Sequence, residues 1–228
     1  MNFLRYYKDM KNNIDTIIFD LDGTLLNTLD DLHACFNHAI KSFGYPERTI
    51  AEIRSFVGNG IKTALKRALP DSVNEKELEK ILEFFRPYYK ENMLKLTKPY
   101  DGILELLKSL KDKGYKIAVV SNKYDEEVKG LCKNYFGEYV DIAIGESVDV
   151  RRKPEIDGVL KAVKELNSTL EKSIFIGDSD VDIKTARNAN IPCISVLWGF
   201  RDKEYLIEQG GKIFANNTKD IEKILSLS

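Results

Sequence analysis

Cysteine is scarce: the 228 residues hold three, Cys35, Cys132 and Cys193. They are scattered, odd in number and without a Cys-x-x-Cys pair, which argues against a disulfide framework or a zinc site and fits a reducing compartment. Histidine is scarcer. His33 and His38 stand five apart, not the four that puts two ligands on one helix face, so they do not read as a metal pair. No stretch approaches the ~18 uninterrupted apolar residues of a membrane span. Nor is there an excess of charge of one sign. Lys and Arg total 35 against 36 Asp and Glu, a net charge of −1, which removes the bulk-charge argument for a nucleic acid or other polyanionic partner. Internal repeats and low-complexity tracts are absent. Met1 to Asn13 carries Arg5, Lys8, Asp9 and Lys11 but no apolar segment, so it reads as an N-terminal extension and not as a secretion signal. A cytoplasmic globular protein is expected, with no membrane partner.

What is present is a 43% hydrophobic chain with ordered punctuation. Thr16-Ile17-Ile18-Phe19 is a short apolar, β-branched run, the pattern of a fully buried strand. Similar runs recur at Ile117–Val120, Ile142–Ile144, Ile174–Ile176 and Ile194–Val196. Helical patterns separate most of them: Gly102 to Leu110, closed by Gly114, then Asp157 to Leu166 and Val181 to Ala189. Alternating strands and helices predict an α/β fold, an open Rossmann-like parallel sheet flanked by helices.

One interval breaks the alternation. From Leu25 to Leu96 the pattern is helical only. Thr28 with Asp31 resembles a capping box, and Leu29, Leu32, Phe36, Ile40 and Phe43 follow at spacings of three and four until Gly44. Glu47–Phe56, Ile61–Leu69 and Glu75–Met93 read as further helices, with Pro87 expected to kink the last. The organisation expected is therefore an extension at 1–13, a discontinuous core of 14–24 and 97–228, and an all-helical insert at 25–96.

Open α/β sheets bind ligands at the carboxyl ends of their strands. Those ends carry Asp20-Leu21-Asp22-Gly23-Thr24, Ser121-Asn122-Lys123 and Gly177-Asp178-Ser179-Asp180-Val181-Asp182, with Lys153-Pro154 in a loop between the last two. Asp20 and Asp22, two apart on extended backbone, are expected to point the same way. With Asp178 and Asp182, four acids converge. Their repulsion calls for a hard divalent cation, and oxygen-only ligands favour magnesium. Ser121, the amides around Asn122, and Lys153 offer the donors a phosphate needs. Asp178 or Ser179 is also suited simply to cap the next helix.

These four motifs resemble those of the haloacid dehalogenase-like phosphohydrolase superfamily, and the resemblance runs from Ile14 to the end. It implies that Asp20 is the nucleophile, forming an aspartyl-phosphate, and that Asp22 is the acid/base. Lys153 would be catalytic and bind phosphate together with Ser121, Asn122, Gly23 and Thr24. Asp20, the main-chain carbonyl of Asp22, and Asp178 would hold Mg2+, with Asp182 and Ser179 behind them. Asp22 also speaks against a true dehalogenase, which in that family lacks this second acid and needs no metal. The helical insert looks like the small cap of one branch. Thr24-Leu25-Leu26-Asn27-Thr28, Val57-Gly58-Asn59-Gly60 and Leu197-Trp198-Gly199-Phe200 bring the chain nearest to phosphoglycolate phosphatase-like proteins. Asn27-Thr28 replaces the usual Asp-Ser, and Asn190 replaces a common Gly, a mild change because Asn tolerates the left-handed conformation.

The implied activity is magnesium-dependent hydrolysis of a small phosphate monoester, with 2-phosphoglycolate the leading candidate. A nucleotidase, an inorganic pyrophosphatase and a sugar-phosphate phosphatase or mutase share the same machinery. A non-catalytic phosphoacceptor regulator would be expected to lose Asp20 or Asp22, and both are present. The partner is a small phosphorylated metabolite; monomer and homodimer are both compatible. Substrate contacts from the cap are expected at Gly58, Asn59 and Gly60, where a helix N-terminus attracts anions, and at Arg54 and Lys62 within a basic cluster of Arg48, Arg54, Lys62, Lys66 and Arg67. Trp198 and the aromatic run Phe84, Phe85, Tyr88 and Tyr89 read as packing, and Glu75 to Glu83 as a solvated helix face.

Overall fold

Four consecutive residues with no solvent exposure, Thr16–Phe19, make the central strand β1. In the computed structural model, which describes residues 14–225, β1 pairs in parallel with a strand on each side. The expected extension at 1–13 lies outside the described residues. Ile17 stands in register with Ile117 of β4 (Lys116–Tyr124) and Ile174 of β6 (Ser173–Gly177). With β5 (Ile142–Glu146), β7 (Cys193–Val196) and β8 (Ile213–Ala215), the six strands run parallel in the order β5-β4-β1-β6-β7-β8. The chain winds outward from β1 to one edge, then returns to fill the other. The crevice at that reversal lies between β1 and β6, where doubly wound sheets bind ligands.

Side chains alternate across the sheet. Ile17, Phe19, Ile117, Val119 and Ile176 share one hydrophobic layer; Ile18, Ala118, Val120 and Phe175 face the other. The second layer is covered by Val159 and Ala162 from helix Asp157–Glu165 and by Ala186 from helix Asp180–Asn188. The first is covered by Leu106, Leu107 and Leu110 from helix Ile103–Asp112, and it continues without a break into the helices of residues 29–92.

Those helices are α1 (Leu29–Ser42), α2 (Ile50–Phe56), α3 (Ile61–Ala68) and α4 (Glu75–Asn92). α1 lies on α4 through an edge-on contact of Phe36 with Phe85, ring centres 5.1 Å apart. α2 begins three residues later than expected because Thr49 and Glu52, not Glu47, form its capping box. The capping box expected at Thr28 does not form, since the Thr28 side chain caps nothing. The buried Asp31 carboxylate instead accepts hydrogen bonds from the main-chain N–H groups of Leu96 and Thr97, at 3.0 and 2.8 Å, and ties α1 to the segment that returns to the core.

The interval is also not purely helical. Leu26–Asn27 (β2) and Lys98–Pro99 (β3) form a small antiparallel ribbon where the chain leaves the sheet and comes back. Two-residue strands are too short to show a period of two. β4 runs on through Ser121, Asn122 and Lys123, which were expected to follow the strand. β8, helices Asp125–Tyr135, Lys203–Glu208 and Thr218–Ile224, and short 3₁₀ turns at Gly137–Tyr139 and Leu170–Lys172 complete the regular structure of the described residues. Gly114 and Asn190 adopt the left-handed conformations their positions suggested, with φ +81 and 54. Among the described residues no helix is long and apolar enough to cross a membrane.

Candidate active site

Asp20 follows the last residue of β1, and its carboxylate is held on two sides. Oδ1 accepts from the main-chain N–H of Leu21 at 2.7 Å and lies 2.8 Å from Lys153 Nζ. That ammonium donates a second bond to Asp182 Oδ1 at 2.7 Å. Lys153 is 4% exposed and sits behind Asp20, outside the cavity that Asp20 lines. Its position is fixed from the main chain, because Lys153 N–H donates to Asn122 Oδ1 at 2.6 Å and its carbonyl accepts from Asn122 Nδ2 at 3.1 Å. The Asn122 side chain is thus a clamp on the lysine loop, leaving only its main chain to face a ligand.

Three buried carboxylates, Asp20, Asp178 and Asp182, bring oxygens within 4.8 Å of one another. Asp182 is not free for a cation: Oδ1 is taken by Lys153, and Oδ2 accepts from both Ser179 N–H and Ser179 Oγ at 3.0 and 2.7 Å. Ser179 therefore caps its helix and positions Asp182 at once. Asp178 is oriented by Phe200 N–H, which donates to Oδ2 at 2.6 Å, and by the Thr24 hydroxyl at 3.4 Å. Burial first, and Asp182 next, push the Asp178 carboxyl up to about 7, against the Phe200 N–H, Arg201 and Lys153. Burial likewise raises Asp20 well above the usual carboxylate range, with Lys153 opposing and Asp182 and Asp178 adding. Acids crowded and desolvated in this way suit a site completed by a cation.

The fourth acid parts from the other three. Asp22 lines the same cavity, but its Oδ2 lies 3.3 Å from Lys123 Nζ and its Oδ1 is buried without a hydrogen-bond partner. Asp20 and Asp22 thus both face the cavity as expected, but Asp22 stands outside the group of three carboxylates, and the chain turns just after it at Gly23, φ +83. Gly23 and Thr24 present no free amides, since their N–H groups donate to Leu26 O and Leu21 O at 2.9 and 3.3 Å. Neither lines the cavity, and Thr24 orients Asp178 instead. Gly23 also has no room for a side chain: an added Cβ would lie 2.4 Å from Asp178 Oδ2. A left-handed φ and this overlap together make Gly23→Ala cost about 2–4 kcal/mol. A fall in Tm of several degrees, with weakened cation binding, is the expected result; unchanged melting would contradict it.

Above the strand ends, Gly58, Gly60 and Ile61 close the cavity beside Ser121 and Asp22. The first N–H groups of α3 lack acceptors inside the helix and lie at this edge. Arg54, Asn59 and Lys62 do not line it. Arg54 donates to Gly199 O and pairs with Asp202, and Lys62 pairs with Glu75 and Glu79. Arg48 and Arg67 are likewise bound to main-chain carbonyls of Ala68 and Phe56. Four of the five residues of the basic cluster are thus engaged by their own neighbours.

Two cations at the cavity were not picked out as site residues. Arg201, from the loop after β7, lines it and donates to the carbonyls of Arg54 and Val57 at 2.8 and 2.7 Å. Lys123 stands two residues past Ser121, and strand alternation alone would have put it on the same side. Trp198, read as packing, donates from Nε1 to Thr24 O at 3.0 Å, and His33, set aside as a metal ligand, bonds to Arg48 O at 3.0 Å.

A carboxylate backed by a buried lysine, at the reversal point of a doubly wound parallel sheet and beside a second acidic strand end, marks a hydrolase of the phosphatase class. The chain belongs to the haloacid dehalogenase-like hydrolase family, whose profile matches residues 17–196. It is 36% identical to a phosphoglycolate phosphatase of Aquifex aeolicus, across 81% of this chain and 85% of that one. It is 31% identical to the pyrophosphatase PpaX of Listeria innocua, across 87% and 90%. A crystal structure from Lactobacillus delbrueckii subsp. bulgaricus superposes with a TM-score of 0.89 at 35% identity, covering 93% of this chain and 98% of that one.

Proposed function

We propose that the protein hydrolyses a small phosphate monoester, 2-phosphoglycolate first, by way of an aspartyl-phosphate on Asp20. The observation that carries this reading is the Asp20 carboxylate, fixed 2.8 Å from Lys153 Nζ and open on its other side to the cavity. One Asp20 oxygen attacks phosphorus while the ester P–O bond breaks, and Asp22 gives its proton to the leaving oxygen. Asp22 then takes a proton from water as it attacks the phosphorus, releasing inorganic phosphate and restoring the Asp20 carboxylate. Ser121 and the main chain of Asn122 hold phosphate oxygens, and Lys153 offsets the negative charge gathered at Asp20.

The donor set fits Mg2+, since buried oxygen ligands with raised pKa values are what a hard cation replaces protons on. Asp20, Asp178 and the Asp22 carbonyl would hold it, and it would screen the repulsion between carboxylate and phosphate. Asp182 and Ser179 hold Lys153 and the helix end in place. The sign of the pH effect follows. Folded Asp178 keeps a proton that the unfolded chain releases, so its contribution to metal-free stability is lost as pH rises from 3.8 to about 7. Added Mg2+ is therefore expected to raise Tm more near pH ~8 than near pH ~6, with affinity falling up to about tenfold per pH unit below the Asp178 pKa. A melting shift independent of pH would count against this ligand set.

Residues 25–96 act as a cap over the strand ends, inserted into the core of 14–24 and 97–228. The cavity is partly open and holds about 40 Å³, room for a few waters; movement of the Gly58–Ile61 edge would widen it for a phosphate ester. The 36% identity to the Aquifex phosphoglycolate phosphatase puts that substrate first. Inorganic pyrophosphate is the second reading, on the 31% identity to the Listeria enzyme. A phosphate-release screen with and without Mg2+, across phosphoglycolate, pyrophosphate, nucleoside monophosphates and sugar phosphates, tests both. Highest kcat/KM on phosphoglycolate supports the first; pyrophosphate preference replaces it, and Mg2+-independent release contradicts the mechanism.

A further inference from the structure

We propose that Lys123 is a positioning residue for Asp22, and that Tyr89 of the helical insert completes this support. The inference rests on Asp22 being the acid/base. Lys123 is buried to 1% side-chain exposure, and its Nζ faces Asp22 Oδ2 at 3.3 Å. It donates a hydrogen bond to the Tyr89 hydroxyl at 2.5 Å and sits 4.7 Å from the centre of that ring. Tyr89 is itself 1% exposed and stacks on Phe85, with ring centres 5.2 Å apart.

An ammonium is buried this deeply only where charge and hydrogen bonds compensate its desolvation. Oδ2 is paired with Lys123, while Oδ1 is buried and has no hydrogen-bond partner. The ion pair holds the carboxyl where it lines the cavity, in position to pass a proton to the leaving oxygen. Proton transfer needs the carboxyl within hydrogen-bond reach of the leaving oxygen, and a side chain free to rotate spends little time there. Because Tyr89 comes from α4 and Lys123 from β4, the anchor is complete only when insert and sheet are together. The insert would thereby aim the acid as well as cover the site.

Leaving groups separate this role from simple packing. An alkyl phosphate expels a basic alkoxide and needs a proton; para-nitrophenyl phosphate expels a stable phenolate and does not. The ratio is read in kcat/KM, which reports phosphoryl transfer to Asp20. Lys123→Met is expected to lower kcat/KM for phosphoglycolate about 100-fold and for para-nitrophenyl phosphate less than about 5-fold. Tyr89→Phe, which removes only a hydroxyl, is expected to show the same inequality at roughly 3- to 10-fold and decides the matter if Lys123→Met does not fold. Equal losses on both esters in the folded variants overturn the proposal. Asp22→Asn separates the two levels of the argument. If it discriminates between the esters and the Lys123 and Tyr89 variants do not, this inference alone fails. If Asp22→Asn loses both equally, the acid/base reading fails and takes this inference with it.

Discussion

Asp20→Asn is expected to lower kcat for phosphate release by on the order of 10⁴-fold or more while leaving the fold intact. The substitution keeps the shape of the side chain and the acceptor for Leu21 N–H. It removes the negative charge and the nucleophilic oxygen. Lys153 retains Asp182 at 2.7 Å, so the buried ammonium is not stranded. One of three crowded acids also disappears, which relieves repulsion in the metal-free protein. Near-normal melting without Mg2+, a much smaller Mg2+-induced rise in Tm, and no turnover form the expected pattern. Substantial turnover by the folded variant would remove Asp20 from the nucleophile's role.

Lys153→Met is the second large effect, and it acts on stability as well as rate. Lys153 is the shared partner of Asp20 and Asp182, both essentially buried. Removing it leaves two carboxylates facing each other without their cation. Breaking a buried pair in this way costs about 3–5 kcal/mol, more than the pair contributes over an apolar replacement. Phosphoryl transfer also loses the charge that offsets the anion at Asp20, so kcat should fall on the order of 10²–10³-fold. Urea denaturation with and without Mg2+, alongside kcat, separates the two effects. A variant as stable as the parent would show that Lys153 does not hold the acids together.

The contrast between those residues and the insert shows what a sequence makes legible. The apolar stretches of β1, β4 and β6 (Ile17–Phe19, Ile117–Val120 and Ile174–Ile176) are short and uninterrupted, and the candidate site residues follow directly on them. Local pattern therefore located Asp20, Ser121, Asn122 and Asp178. Lys153 and Asp182 are 29 residues apart, yet both lay in recognisable strings. The insert is different. Five positive residues within one span suggested an anion-attracting face, but Glu75 and Glu79, read as a solvated surface, come across to neutralise Lys62. A count of charges does not contain the partner of each charge.

The same limit hid the Lys123–Tyr89 contact, whose members are 34 residues apart on separate elements. Arg201 was hidden because its hydrogen-bond partners are main-chain carbonyls, which carry no side-chain signature in a sequence. Asp31 had the spacing of a capping box, but its carboxylate found the N–H groups of Leu96 and Thr97, 65 and 66 residues away. Local propensity proposed one partner and tertiary structure supplied a better one. The β2–β3 ribbon and β8 were missed for a simpler reason, being two or three residues long and below the length at which alternation can be recognised.

Phosphate is expected to pass through a covalent bond to Asp20. Rapid acid quench during turnover, borohydride reduction and peptide mapping test it most directly, because an aspartyl-phosphate is reduced to homoserine while a free carboxylate is not. Homoserine at position 20, formed only with substrate and Mg2+ and absent from Asp20→Asn, is the predicted result. Full phosphate release with residue 20 recovered as aspartate at every time point, or with the reduced residue at another position, would contradict it.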